Sequence, residues 1–189
     1  MADDLALAMK SLGIEKASVL GVSQGEMIAQ YLAIDYSEMV EKLILAVTAP
    51  YANPVLKDAV EGWIDMARRD DHKTLMIDTA EKMYSQKYLD KNRKIFPLVA
   101  KLTKPVSYDR FYKNAYAILD FDVRDELSKI SAPTLIIAGS DDKTVGNDAA
   151  AELSNGIKGS DKYFYDGLGH DAFEEAKDFY DRVLEFCER

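Results

Sequence analysis

The chain has 189 residues, 48% of them hydrophobic, which is enough to bury the core of one domain or a core with one insertion and too many for a disordered protein. A formal net charge of -9 with no offsetting basic stripe argues against a nucleic-acid backbone or an anionic membrane as partner, and Lys91, Arg93 and Lys94 read as a solvated helix face. One cysteine, Cys187, excludes an intrachain disulfide, no apolar run reaches the ~20 residues of a membrane span, and Met1–Lys10 lacks the features of a signal peptide, so a cytoplasmic protein is expected.

Ala2 to Leu12 predicts a helix, with Asp3 and Asp4 favourable in its first turn, Leu5, Met9 and Leu12 on one face, and Gly13 as its C-cap. Ala17 to Leu20 predicts a strand. It breaks at Gly21-Val22-Ser23-Gln24-Gly25 and continues as a helix to about Tyr36, with Met27, Ile28, Tyr31 and Leu32 at helical spacing. A G-x-S-x-G between a strand and a helix is a nucleophile elbow: the turn strains the serine backbone, and bulky side chains at Gly21 and Gly25 are expected to clash across it. Ser23 would then stand clear at the strand's end, with the Gln24 amide at the helix start aimed at a developing oxyanion. Glu26, in the first turn, reads as an ordinary charge on the helix dipole, and a catalytic role is the weaker reading.

Val40 to Val47 predicts a buried strand, parallel to the first. From Tyr51 to Ser131 the pattern turns helical, with about four helices, breaks at Asp70-Asp71, near Tyr88 and at Pro105, and a wealth of Tyr, Met and Phe suited to roofing a pocket. Pro133 to Ala138 is the third strand and delivers Asp141 and Asp142 at its C-terminal end, where open parallel sheets place ligands. Asp148 to Gly156 is a helix, Lys162 to Tyr165 the fourth strand, and Asp171 to Cys187 the terminal helix.

A serine hydroxyl needs a base, and the base needs a third group to fix its tautomer. Of two histidines, His72 sits in a charged run and reads as surface, while His170 follows a Gly-x-Gly turn at the same edge as the elbow and is the candidate base. Either Asp141 or Asp142 could serve as the acid. The order Ser23, Asp, His170 is that of the hydrolases rather than of either protease fold. No metal site, dinucleotide loop or cofactor site appears.

GVSQG, then DVRDEL, APTLIIAGSDDKTV and YDGLGHDAF, resemble the α/β-hydrolase superfamily, and more narrowly its esterase, lactonase and haloperoxidase-like group. The resemblance implies a mainly parallel α/β sheet of about four strands with flanking helices, a core of residues 1–50 and 132–189, and a helical cap at 51–131. In that group the acid commonly follows a glycine by three positions, which selects Asp142 after Gly139, with Asp141 the runner-up. The implied activity is cleavage of a carboxylic ester or lactone through an acyl-enzyme on Ser23, acting on a small acyl molecule without a cofactor. Perhydrolase or haloperoxidase-like activity, or a non-catalytic binding or assembly module, are the alternatives.

The match begins at the helix before the family's fifth strand, so the four preceding strands and the His-Gly loop that supplies a second oxyanion donor have no counterpart here. That implies weak or absent catalysis by this chain alone, since one oxyanion donor is worth ~100 to 1,000-fold in turnover. It also implies a bare edge on the first strand, and hence a homo-oligomer or complementation by a separate N-terminal chain.

Overall fold

The run VEKLILA at Val40–Ala46 alternates nothing: Leu43, Ile44, Leu45 and Ala46 are all apolar, as a strand covered on both faces requires. A computed structural model describes residues 1–189, and in it this strand, β2, lies inside a four-stranded sheet. β1 (Ala17–Val22), β2, β3 (Thr134–Gly139) and β4 (Asp161–Tyr165) follow one another in spatial as in chain order, and every pairing is parallel. Leu45 pairs with Gly21 on one side and Ile136 on the other, so the strand ends carrying Ser23, Val47, Ser140 and Asp166 emerge along one edge. β1 has a neighbour only on the β2 side.

The two faces of the sheet are covered unequally. Leu43, Leu45 and Ile136 point into a large core shared with α1 (Ala2–Ser11), α2 (Gln24–Asp35) and α8 (Ala149–Gly156). Ile44, Ala46, Leu135 and Ile137 face the other way, onto Phe179, Val183 and Phe186 of α10 (Phe179–Glu188). Leu43, Ile44 and Leu45 are wholly buried, each such side chain contributing roughly 1.5–3 kcal/mol by leaving water.

Five helices separate β2 from β3: α3 (Pro54–Arg68), α4 (His72–Met83), α5 (Gln86–Asn92), α6 (Phe96–Thr103) and α7 (Asp109–Leu119). The expected count was about four. The expected break near Tyr88 falls at Tyr84-Ser85, where the Ser85 hydroxyl accepts from the Tyr88 amide and starts a new helix, and the additional one is at Arg93–Ile95, a short 3-10 turn that separates α5 from α6. Asn53 and Asp71 cap α3 and α4 in the same way.

Three other expectations need correcting. α1 buries Ala6 and Met9 against α2 while Leu5 and Leu12 are exposed, because a small residue at position 6 brings the two helices together off the Leu5 side. The terminal helix is two: α9 (Ala172–Glu175) stops at Ala176, whose extended backbone re-aims the chain so that Phe179 can bury against the sheet. His72 is 7% exposed rather than on the surface, its ring nitrogens lying 3.0 Å from the Tyr108 hydroxyl and 3.4 Å from the Thr103 hydroxyl, which ties α4 to α6 and to the start of α7. Burial and the nearby Lys104 charge hold its pKa below the ordinary histidine value.

Candidate active site

β1 ends at Val22, α2 begins at Gln24, and Ser23 alone makes the turn, with a φ of 51°. A non-glycine residue in the left-handed region is strained by ~1–3 kcal/mol and persists only when its surroundings fix it. Here they do: the Ser23 amide donates to the Ala46 carbonyl at 3.1 Å, and the Ser23 carbonyl accepts from the Glu26 amide at 3.0 Å and the Thr48 hydroxyl at 3.4 Å. Gly21 is needed for the close approach, since a Cβ there would lie 2.5 Å from the Glu26 Cα. Gly25 is different: a Cβ would meet nothing, so the clash expected at that position does not arise.

The Ser23 Oγ lies 2.8 Å from His170 Nε2, and His170 Nδ1 lies 2.8 Å from Asp142 Oδ2. Residues 147 positions apart in the chain thus form one continuous line of contacts. The other Asp142 oxygen accepts from the amides of Thr144 at 2.8 Å and Val145 at 3.0 Å, which orients the carboxylate. A carboxylate can only accept, so His170 Nδ1 carries the proton and Nε2 is left to receive the hydrogen of the serine hydroxyl. His170 is 1% and Asp142 5% exposed, whereas Asp141 is exposed, its carboxylate accepting from the neighbouring Ser140 hydroxyl at 3.4 Å and its amide donating to the Leu168 carbonyl at 2.9 Å. Gln24 opens α2, and the first-turn amides of a helix have no partner within it.

Over Ser23 lies a cavity of about 230 Å³. Its walls are mainly apolar, with Met27, Leu56, Val60, Trp63, Met83 and Ile118 prominent, and no Lys, Arg, Asp or Glu lines it. Val47 also faces it, at a φ of 61° that is unusual for a β-branched residue. The sequence reading ended β2 at Val47 and did not anticipate this turn, nor the contact of Thr48 with the elbow. The Thr48-Ala49-Pro50 boundary was the available signal.

The loop carrying His170 is held to the helical insertion. The Asp171 amide donates to the Met83 carbonyl at 2.9 Å, and Glu175 accepts from both the amide and the hydroxyl of Ser85. The Asp171 carboxyl faces the Tyr84 hydroxyl and is 2% exposed; burial pushes its pKa up to about 6, and Glu174 and Glu175 push the same way while the tyrosine hydroxyl and His170 oppose. A raised carboxyl pKa means that the fold binds this proton more tightly than the open chain does. The resulting stability is complete below the ordinary value of ~4 and is lost as pH rises through about 6. Asp171→Asn is therefore expected to melt about 2–4 °C above the parent at pH 8, with the gap closing by pH 4. Thermal unfolding followed by circular dichroism at the two pH values checks this.

No helix of the structure is long and apolar enough to cross a membrane, and no group of three or more His, Cys, Asp or Glu side chains is placed to hold a metal ion.

The family profile described as alpha/beta hydrolase fold matches residues 1–177. The AB hydrolase superfamily protein YisY of Bacillus subtilis is 33% identical over 187 residues, covering 94% of this chain and 68% of its own length. A 2-hydroxy-6-oxononadienedioate/2-hydroxy-6-oxononatrienedioate hydrolase of Klebsiella pneumoniae is 31% identical, covering 98% and 67%. Among solved structures, MGS-M2, an alpha/beta hydrolase enzyme from a Medee basin deep-sea metagenome library, superposes with a TM-score of 0.92 at 25% identity, covering 100% of this chain and 70% of that one. The enol-lactonase from Burkholderia xenovorans LB400 shares the fold, at a TM-score of 0.83 and 22% identity, over 100% of this chain and 72% of its own. This chain thus spans about two thirds of the length of those relatives, and it belongs to the α/β hydrolase fold family.

Proposed function

We propose that the chain carries the catalytic groups of a serine hydrolase that cleaves a carboxylic ester or lactone through an acyl-enzyme. The observation that supports this most is the pair of 2.8 Å contacts linking Ser23, His170 and Asp142 under an apolar cavity. In this reading the Ser23 Oγ attacks the substrate carbonyl as its proton passes to His170 Nε2, and the oxyanion takes the Gln24 amide. Asp142 stabilises the imidazolium, which then protonates the departing alkoxide. Water then attacks the acyl carbon as its proton passes to Nε2, the bond to Ser23 Oγ breaks to release the acid, and Nε2 returns the proton to that Oγ.

Helices α3 to α7 act as a cap that supplies the apolar wall. The cavity favours an uncharged acyl group: the Klebsiella relative is named for dioate substrates, and no Lys or Arg lines this cavity to pair with a second carboxylate. An esterase is also represented among similar structures, EaEST from Exiguobacterium antarcticum, at 25% identity and a TM-score of 0.83.

The test is covalent labelling. A fluorophosphonate is expected to modify Ser23 of the folded chain, and Ser23→Ala to abolish the adduct in intact-mass spectrometry. A folded sample that refuses the reagent would leave the non-catalytic binding module as the better reading.

A further inference from the structure

Glu26 is the least accounted-for side chain in the molecule. Expected as an ordinary charge on the helix dipole, it is 0% exposed, and neither of its carboxyl oxygens has a hydrogen-bond partner within ordinary distance and angle. It lies in the first turn of α2 with its Cα and Cγ against the backbone of Gly21, behind the nucleophile elbow. The groups that face it come from the other loops of the site. Thr48, after β2, turns its hydroxyl to the Ser23 carbonyl at 3.4 Å, and Asp142, after β3, lies close enough for its negative charge to bear on the Glu26 carboxyl. Gln30, one turn further along α2, is also wholly buried, with its Oε1 unpartnered. No cation faces Glu26, and Asp142 is the charged group set against it.

An isolated carboxylate in such a place costs several kcal/mol or more, and the group avoids that cost by keeping its proton. Burial is the main influence holding the Glu26 pKa well above the carboxylate range; the charge of Asp142 adds to it and Thr48 opposes it. The neutral form is thus the resting form. It leaves the Asp142 carboxylate, 2.8 Å from His170 Nδ1, without a second charge behind it; the Asp171 carboxyl, whose pKa is about 6, also bears on His170.

We propose that Glu26 is a proton-dependent positioning residue: the site works while this carboxyl is uncharged, and its ionisation, which sets a second carboxylate behind Asp142, switches the site off at alkaline pH. The inference rests on the hydrolase reading for its consequence, though not for the ionisation itself. Two like charges in a water-poor interior repel, and the newly charged group meets only the Thr48 hydroxyl, already turned to the Ser23 carbonyl, unless α2 or the loops shift to admit water. Either movement is felt at once by Ser23, whose strained turn is braced by the Glu26 amide and Thr48, and by Asp142, which orients His170. A displacement of ~1 Å at a reacting group is worth up to ~100-fold in rate.

The experiment follows two quantities from pH 6 to 10.5 in the full chain and in Glu26→Gln and Glu26→Leu. One is the imidazole resonance of His170 by NMR, distinguished from His72 by the His72→Gln variant. The other is the rate at which a fluorophosphonate labels Ser23. In the parent, the His170 resonance should show an alkaline inflection, and labelling should fall ~10- to 100-fold across it. Both variants, which cannot ionise at position 26, should lack that inflection, label within ~3-fold of the parent at pH 7 and hold that rate to the alkaline end; the leucine form guards against a poorly accommodated amide. Superimposable parent and variant curves in both readouts would overturn the proposal, as would an alkaline fall in labelling that survives in both variants. If no form labels at any pH, the hydrolase reading fails and the switch falls with it, while the NMR inflection still reports whether Glu26 ionises against Asp142.

Discussion

Asp142→Asn is expected to lower the rate of fluorophosphonate labelling and of ester hydrolysis by ~1,000 to 10,000-fold, while Asp141→Asn stays within ~2-fold of the parent. An asparagine keeps the shape of the acid and can still accept from the Thr144 and Val145 amides through its oxygen. Its other atom, however, is now an NH₂ that donates where Asp142 Oδ2 accepted. His170 Nδ1 must then become the acceptor, and the proton moves to Nε2. A protonated Nε2 can donate to the Ser23 Oγ, 2.8 Å away, but cannot take its hydrogen, so the nucleophile is left unactivated in an otherwise intact site. Asp141 is exposed and reaches the site only through its backbone, which the substitution does not touch. Initial labelling rates at pH 7.5, with melting curves to show that both variants are folded, decide the matter. A severe loss in Asp141→Asn with Asp142→Asn unimpaired would reverse the assignment.

The parts of this architecture that could be read in the sequence are those in which one local pattern has one outcome. Leu43, Ile44 and Leu45 in succession demand burial on both faces, and glycine at 21 before a serine between a strand and a helix demands a sharp turn. Asp142 and His170 were accessible because parallel strands all deliver their C-terminal loops to one edge, whatever the details of each loop. What escaped depends on contacts between distant segments. Nothing local distinguishes Glu26 from a solvated first-turn acid. Its burial follows from α2 being covered by β1, β2 and the loops after β2 and β3 together. His72 was misjudged for the same reason, since its charged neighbours point outward while its ring faces Tyr108 and Thr103 from other helices. The split of the last helix was missed because Phe173 and Phe179 fit a continuous helical pattern almost as well as the broken one that buries Phe179.

Gly139→Ala should be the most damaging small substitution outside the reacting groups, lowering labelling of Ser23 by ~100-fold and melting temperature by roughly 3–10 °C. Gly139 ends β3 directly ahead of the acid loop, and a methyl group on it would sit on the carbonyl oxygens of Leu168 and Gly169, just before His170. Those are backbone atoms, with no rotamer to escape into. They are also tied down, because the Leu168 carbonyl accepts from the Asp141 amide at 2.9 Å, Ser140 donates to the Tyr165 carbonyl at 3.0 Å, and the Gly167 amide donates to the Ser140 hydroxyl at 2.8 Å. Relief requires the two loops to part, and they are the loops that carry Asp142 and His170. Their separation stretches the Nδ1 contact and swings Nε2 off the serine, so activity suffers beyond what the lost stability would explain. Gly159→Ala supplies the comparison: its φ of 76° strains an alanine, yet no atom within 4 Å would meet the new methyl group. That variant should lose ~1 kcal/mol of stability and label Ser23 at the parental rate. Equal labelling by the two alanine variants would show that the close approach of the acid and histidine loops does not govern the geometry of the site.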